Sequence, residues 1–137
     1  MKDLPATRRS LLLSVAVVTA LAALVYHEAP EDGFVLDDAA AIAQHRGVAH
    51  PTLQAIFARD FWGGTPRHPR AAAYRPLTTA SFALDWQLAG GTPWIFHVTN
   101  FSLHVMICDL VLLALWSLDG MRRRAALVAT LVFALHP

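Results

Sequence analysis

Three apolar runs divide the chain, and polar stretches separate them. The runs cover residues 11–26, 94–118 and 125–137. Because a helix rises about 1.5 Å per residue, the second run can cross a hydrocarbon core of about 30 Å, whereas the third reaches only about 20 Å. The pattern therefore predicts an all-α, polytopic membrane protein with two complete transmembrane helices and a truncated third. A membrane protein does not normally end partway through a span, so we expect a fragment.

The first run has two interpretations. It covers about 24 Å, and the preceding Arg8 and Arg9 could extend toward the interface and make up the difference. A basic start before a moderate apolar run is also typical of a cleaved signal peptide, and residues 7–12 resemble a loose twin-arginine export signal. We favour a retained span over cleavage.

Composition favours the membrane class. Hydrophobic residues make up 55% of the 137 residues and charged residues only 15%, well below the roughly 25% of a soluble domain. The net charge of +1 gives no basis for binding nucleic acid through a basic surface. The single cysteine, Cys108, lies in an apolar run, so neither a disulfide framework nor a cysteine metal site is expected.

The basic residues indicate an orientation. They cluster in residues 1–10, before the first run, and in residues 119–124, between the second and third runs. The positive-inside rule assigns both clusters to the cytoplasm. Residues 27–93 then form an outward loop that faces the periplasm, the cell exterior or an organelle lumen. Alanine- and arginine-rich usage favours a bacterial inner membrane over an endoplasmic reticulum membrane.

Two adjacent carboxylates, Asp37 and Asp38, lie in the outward loop shortly after the first run. Aspartate is a common helix N-cap, and the alanine-rich residues 39–43 are a plausible helix, so helix capping is one interpretation. The predicted position just outside the membrane supports another, in which one carboxylate acts as a general base.

Two short helices are predicted in the same loop. In residues 51–62 apolar side chains recur at helical spacing, which indicates an amphipathic helix on the membrane surface. Residues 63–70 are predicted to form a turn or flexible loop. A second helix should begin near Pro76, because proline is tolerated in the first turn, and end at the glycine pair 90–91.

Tyr74 and Arg75 directly precede that second helix. Free backbone N–H groups, the helix dipole and a guanidinium all favour an anion, so this position is a candidate phosphate site. The other interpretation is that Arg75 pairs with Asp60, with Asp85 or with a lipid headgroup.

Polar residues interrupt the second apolar run. His97, Asn100 and His104 are spaced three and four residues apart and share one helix face. Ionisable groups in a span often mark function, but histidine and asparagine also hydrogen-bond between helices. We favour interhelical bonding for the deeper His104 and contact with a bound polar group for His97. Asp109 lies about 140° around the helix from His104, and the sequence shows no partner for it.

Several motifs occur together in a fixed order. They are Gly-Phe-Val-Leu-Asp-Asp at 33–38, Asp-Phe-Trp-Gly at 60–63, Tyr-Arg-Pro-Leu-Thr-Thr at 74–79, Phe-His-Val-Thr-Asn at 96–100 with Leu-His at 103–104, and Phe-Ala-Leu-His-Pro at 133–137. In this order they resemble the N-terminal part of the transmembrane and tetratricopeptide-repeat O-mannosyltransferases and their bacterial relatives. These are polytopic glycosyltransferases of the GT-C superfamily.

The resemblance implies a reaction. Such enzymes take a sugar, here with mannose as the candidate, from a polyprenyl-phosphate carrier and transfer it to a protein hydroxyl on the non-cytoplasmic face. The acidic pair of the first outward loop is catalytic, so Asp37 would be the base and Asp38 would orient it or bind the acceptor. Arg75 would hold the lipid phosphate, with Tyr74 and His97 as further substrate-binding residues.

The implied partners are membrane lipid, the polyprenyl-phosphate donor and a protein acceptor. No cofactor is expected, and two adjacent carboxylates without further ligands are a poor argument for a metal. Family members continue through more spans into a tetratricopeptide array, so this fragment should be inactive alone.

The competing hypothesis is a non-catalytic membrane anchor or assembly subunit whose outward loop docks a partner. A transporter is a third, but the long patterned loop suits a transferase better.

Overall fold

The computed structural model describes residues 6–63 and 73–136, and the regular elements in this part of the chain are all helical. In chain order they are α1 (Ala6–Tyr26), a 3-10 turn (Ala29–Glu31), a π-helical turn (Ala39–Ala43), α2 (Arg46–Ala49), α3 (Leu53–Phe57), α4 (Pro76–Ala89), α5 (Pro93–Ser117) and α6 (Arg123–Leu135). The predicted all-α class is confirmed for the described residues.

Two segments are long and apolar enough to cross a membrane. They cover Thr7–Glu31, which contains α1 from its second residue on, and Pro93–Ser117, which is α5, and each has 25 residues. The prediction of two such helices is therefore confirmed. Helix α6 has 13 residues and rises only about 20 Å, so its role as part of a third span stays a prediction.

The chain divides into two compact units. The span unit comprises the residues up to Glu28 and those from Asn100 onward, and the loop unit comprises Ala29–Thr99. Helix α5 contributes its first seven residues, 93–99, to the loop unit and its remaining residues to the span unit. Each unit has a hydrophobic core of its own.

Small side chains bring the helices of the span unit close together. Its buried core residues come from α1, α5 and α6, and they are Val18, Cys108, Leu112 and Ala134. Ala22 of α1 and Ala126 of α6 are also fully buried. Because lipid is as apolar as leucine, transmembrane helices associate mainly through close packing, which small residues permit.

The loop unit packs around aromatic and aliphatic side chains from several of its elements. Its buried core consists of Ala41, Ile42, Val48, Phe61 and Phe96. The short helices α2 and α3 both pack against the longer α4. The loop therefore buries its apolar residues against one another.

Helix α4 begins and ends where the sequence predicts. Pro76 occupies its first turn, where the missing N–H costs nothing. Gly90 follows its last residue with a left-handed φ of +63°, and its N–H donates to the carbonyl oxygen of Trp86 at 2.7 Å. Glycine is favoured at this position because it has no Cβ to clash.

The predicted helix at 51–62 is largely wrong. Only Leu53–Phe57 is helical, with Thr52 as its N-cap: the Thr52 hydroxyl accepts a hydrogen bond from the N–H of Ala55 at 3.0 Å. The chain then turns, because the Asp60 carboxylate accepts from the N–H of Trp62 at 2.9 Å. Such local side-chain bonds compete with helix formation. The placement of this helix on a membrane surface stays a prediction, and of the predicted loop at 63–70 only Gly63 lies among the described residues.

Candidate functional site

The acidic pair lies in a turn between the 3-10 turn and the π-helical turn. Leu36, directly before the pair, has a left-handed φ of +47° and is 88% exposed. A non-glycine residue pays a steric cost in this conformation, and such residues cluster at functional sites. In this turn Asp37 is exposed and Asp38 is half-buried.

The Asp38 carboxylate is held by the backbone of its own turn. Its Oδ2 accepts a hydrogen bond from the N–H of Val35 at 3.1 Å. Asp38 occupies the residue before the π-helical turn, but its side chain makes no cap bond there. Residues 39–43 are helical as predicted, in a π-helical turn, but side-chain capping by Asp38 is wrong, because this carboxylate bonds backward along the chain.

The Asp37 carboxylate is free of such bonds. Its carbonyl oxygen accepts from the N–H groups of Ala40 and Ala41 at 3.0 and 2.8 Å, which fixes the backbone at this residue. Its exposed side chain makes no hydrogen bond or ion pair with any residue that the structure describes. The two carboxylates thus differ: Asp38 is oriented, and Asp37 is available to a ligand.

Arg75 stands at the start of α4 and is exposed. Its guanidinium carbon lies 5.0 Å from the centre of the Phe61 ring, a cation–π contact. The carbonyl oxygen of Arg75 accepts from the N–H and the hydroxyl of Thr79 at 3.0 and 3.2 Å. A helix leaves its first N–H groups without intrahelical partners, so an anion at this position would find both them and the guanidinium.

The predicted alternative for Arg75, pairing with Asp60 or Asp85, is wrong. Asp60 bonds to backbone in its own turn. One oxygen of Asp85 accepts from the hydroxyl of Thr99 at 2.9 Å, which ties α4 to α5 within the loop unit. Within residues 6–63 and 73–136, no carboxylate forms an ion pair with Arg75.

Tyr74 ties two parts of the loop unit together. Its hydroxyl donates to the carbonyl oxygen of Phe57 at 3.0 Å, across 17 residues of sequence. The residue is 64% exposed, so a ligand can reach it. Tyr74 therefore has a structural bond besides the predicted role in substrate binding.

The polar residues of the second apolar run have different surroundings. His97 is half-buried, and its Nε2 is buried without a hydrogen-bond partner among the described residues. The Nε2 of His104 lies 3.0 Å from the carbonyl oxygen of Ala134, so the predicted interhelical bond of His104 is confirmed. Asn100 is exposed. Asp109 has one buried oxygen without a partner among the described residues, so the structure, like the sequence, shows no partner for that oxygen.

A row of aromatic rings connects the segments that carry the candidate residues. Phe34 contacts Phe96 (centroids 5.4 Å apart), Phe96 contacts Phe82 (6.0 Å), and Phe82 contacts Phe61 (6.2 Å), over which Arg75 lies. Phe34 lies three residues before Asp37, and Phe96 directly precedes His97. The structure thus packs all the candidate segments on one core, although neither carboxylate of the pair bonds to Arg75 or His97 in the described part.

Comparison with known proteins gives relatives with a common name. The chain is 32% identical over 126 residues to protein O-mannosyl-transferase TMTC3 of Mus musculus, covering 90% of this chain and 13% of that protein. It is 35% identical over 143 residues to TMTC1 of Homo sapiens (97% and 16%), and 34% identical over 136 residues to TMTC4 of Mus musculus (88% and 18%). The predicted resemblance is confirmed. No family model matches the chain, and no solved structure matches it.

The chain thus spans less than a fifth of the length of the O-mannosyl-transferases that it matches. Within this short stretch, the structure describes two helices that are long and apolar enough to cross a membrane, and a loop unit with an exposed carboxylate. The two apolar helices and these relatives together support a membrane location.

His45 is a buried residue of the loop unit that the sequence analysis does not single out. Its ring is 1% exposed, and neither ring nitrogen has a hydrogen-bond partner among the described residues. A Cβ added to Gly63 would lie 2.6 Å from the ring, and one added to Gly47 would lie 2.9 Å from it. The histidine therefore packs between two glycines, one of which belongs to the Asp-Phe-Trp-Gly motif. The sequence signal for this packing is the presence of Gly47 and Gly63, which leave room for the ring.

A surface cavity of about 380 Å³ lies beside His45. It is lined by Ala43, Gln44, His45, Arg46, Ala49 and His50. Three of these side chains are basic and none is acidic, so the cavity suits a polar or anionic group. Among the described residues, no group of three His, Cys, Asp or Glu side chains is placed to hold a metal ion.

Proposed function

We propose that this chain supplies the acidic catalytic turn of a membrane glycosyltransferase of GT-C type, which moves a sugar from a polyprenyl-phosphate carrier to a protein hydroxyl on the non-cytoplasmic face. The observation that carries the proposal is the exposed, unbonded carboxylate of Asp37 beside the backbone-held carboxylate of Asp38. The names of the relatives support both the sugar, mannose, and the protein acceptor.

The proposed reaction is a single displacement at the anomeric carbon. The acceptor hydroxyl gives its proton to Asp37 as its oxygen bonds to the sugar. The bond between the anomeric carbon and the phosphate oxygen breaks, and the lipid phosphate leaves with the electron pair. Asp38 keeps the turn in place, since losing its bond to the N–H of Val35 would release the strained Leu36.

The leaving phosphate needs positive charge as the bond breaks. Arg75 at the start of α4 supplies it in this proposal, because its guanidinium is exposed and unpaired with any described carboxylate. The cation–π contact with Phe61 restricts the side chain without neutralising it. Tyr74 and His97 are the further substrate-binding residues of the proposal.

The test of the base is activity in the full-length protein that contains this segment. Asp37→Asn should abolish transfer to a protein acceptor while leaving expression unchanged. Asp38→Asn should retain partial activity, since an amide oxygen can still accept from Val35. Asp32→Asn, an exposed aspartate of the same unit, is the matched control and should retain activity. Wild-type turnover in Asp37→Asn would refute the assignment.

A second test uses the 137-residue chain and a polyprenyl phosphate in detergent. Binding should weaken in Arg75→Ala and stay unchanged in Arg59→Ala, another exposed arginine of the loop unit. Equal binding by both variants would instead favour the anchor or assembly hypothesis. A reporter inserted between residues 31 and 51 tests the orientation, and its appearance in the cytosol would contradict the transferase proposal.

A further inference from the structure

Arg123 connects the two ends of the sequence within the span unit. Its Nη2 donates a hydrogen bond to the hydroxyl of Thr7 at 3.1 Å, across 116 residues. Its guanidinium carbon also lies 5.6 Å from the centre of the Trp116 ring. These contacts place the first turn of α1 beside the last turn of α5 and the start of α6.

Two arginine clusters that are far apart in sequence thereby become neighbours. Arg8 and Arg9 follow Thr7 in the first turns of α1, where each residue rises about 1.5 Å. Arg122 and Arg124 flank Arg123, and all four side chains are exposed. We call this group of four, together with Arg123, the arginine patch.

The arginine patch has no internal counter-charge among the described residues. The ion pair that the structure shows among the described residues joins His27 to Glu28 and involves none of these arginines. Asp119 lies close in sequence but forms no ion pair with them. Like charges within a Debye length of about 8 Å repel one another, so the patch is stabilised by any anion that reaches it.

We propose that the arginine patch binds the headgroup of an anionic phospholipid. Arginine makes paired hydrogen bonds to phosphate oxygens, and Trp116 is the kind of ring that lies at a membrane interface. Exposed apolar side chains follow the patch along α1 and α5, namely Leu12, Leu13 and Leu113. Acyl chains can lie against these side chains, which favours a lipid over free phosphate as the ligand. The proposal is independent of the transferase activity.

A lipid titration tests this proposal. The purified 137-residue chain, in a neutral detergent, is titrated with phosphatidylglycerol and separately with phosphatidylcholine. Native mass spectrometry counts the lipids retained. Phosphatidylglycerol should be retained and phosphatidylcholine should not, and raising the salt concentration should weaken the retention. Equal retention of the two lipids would overturn the proposal. Displacement of the lipid by an equal concentration of inorganic phosphate would also overturn it, because the acyl chains would then contribute nothing.

The double variant Arg122→Gln/Arg124→Gln locates the site. Its affinity for phosphatidylglycerol should fall roughly 30-fold, which corresponds to about 1 kcal/mol for each arginine. A matched pair of single variants serves as the control. Arg122→Gln should weaken the affinity about fivefold, whereas Arg59→Gln, which removes the same charge from an exposed position of the loop unit, should leave it within about twofold. An equal loss in these two single variants would show a net-charge effect and refute the site. The lipid comparison with the unaltered chain stands whether or not the variants fold.

Discussion

The ring of Phe34 meets the ring of Phe96 edge to face, with the two centroids 5.4 Å apart and the ring planes at 67°. This is a favourable geometry for aromatic pairs. The contact joins the turn that carries Asp37 to the helix that carries His97. The geometry of the candidate site therefore depends on an aromatic core as well as on its polar residues.

Phe96→Ala should destabilise the loop unit. The side chain is 1% exposed, and truncating a buried phenylalanine costs about 3–5 kcal/mol, because apolar contacts are lost and a cavity remains. Phe57→Ala is the matched control, since Phe57 is 49% exposed and should cost less than about 1 kcal/mol. Limited proteolysis of the loop unit in detergent measures the difference. Equal protection in the two variants would show that Phe96 does not support this unit.

Asp85 should make the stability of the loop unit depend on pH. Burial raises the pKa of this carboxyl, and the hydrogen bond from Thr99 lowers it to a lesser extent. The folded unit therefore holds the proton more tightly than the unfolded chain, whose aspartate pKa is about 3.9. The free energy of unfolding should be highest below that pH, fall as the pH rises to the raised pKa, and then level off.

Asp85→Asn should remove this dependence. An amide can still accept from Thr99 but carries no charge, so the variant should be more stable at neutral pH, by about 1.4 kcal/mol for each unit of the pKa shift. Thr99→Val keeps the shape but leaves the carboxylate unpaired, and should destabilise by about 1–3 kcal/mol. Thermal unfolding at several pH values measures both. A variant Asp85→Asn less stable than the native chain at pH 7 would point to a role for the charge.

Gly63→Ala should be among the most damaging glycine substitutions in the loop unit. Gly63 has a φ of +60°, which costs an L-residue about 1–2 kcal/mol. The new methyl group would also lie 2.6 Å from the buried His45 ring, and such overpacking costs about 1–3 kcal/mol. Gly90→Ala isolates the first effect, since its φ is +63° but nothing lies within 4 Å of the new atom.

The double variant His45→Ala/Gly63→Ala tests whether the clash is with the ring. Removing the ring makes room for the methyl group, so the combined loss should be smaller than the sum of the single losses by at least about 1 kcal/mol. Strict additivity of the unfolding free energies would show that the ring of His45 is not what excludes a side chain at Gly63.

The hydrophobic pattern and the positions of proline and glycine predict the parts of this fold that depend on local interactions. The length of the apolar runs predicts both long helices, and Pro76 with Gly90 predicts the bounds of α4. Side-chain capping by Asp38 is wrong, because its carboxylate accepts from the N–H of Val35 and not from the turn that follows. Local pattern cannot decide between two such donors, since the choice depends on the left-handed turn at Leu36.

Other features depend on contacts between distant residues. Phe61 fits the apolar stripe of a surface helix, yet it is buried beneath Arg75, because the chain turns at Asp60 and returns through Tyr74. The pairing of Asp85 with Thr99 and the packing of His45 against Gly63 likewise join separate segments. The candidate residues could therefore be named from motifs, but the core that positions them could not.

His104→Leu should destabilise the span unit by about 0.6 kcal/mol, and by no more than about 1.7 kcal/mol, the range for hydrogen bonds inside membranes. The Nε2 of His104 lies 3.0 Å from the carbonyl oxygen of Ala134, in the last turn of α6, where carbonyl groups lack intrahelical partners. His104→Gln retains a donor and should recover part of the loss, whereas His27→Leu, at an exposed position, should cost little. Thermal unfolding in detergent measures all three variants. A leucine variant as stable as the native chain would show that this carbonyl is satisfied equally well without the histidine.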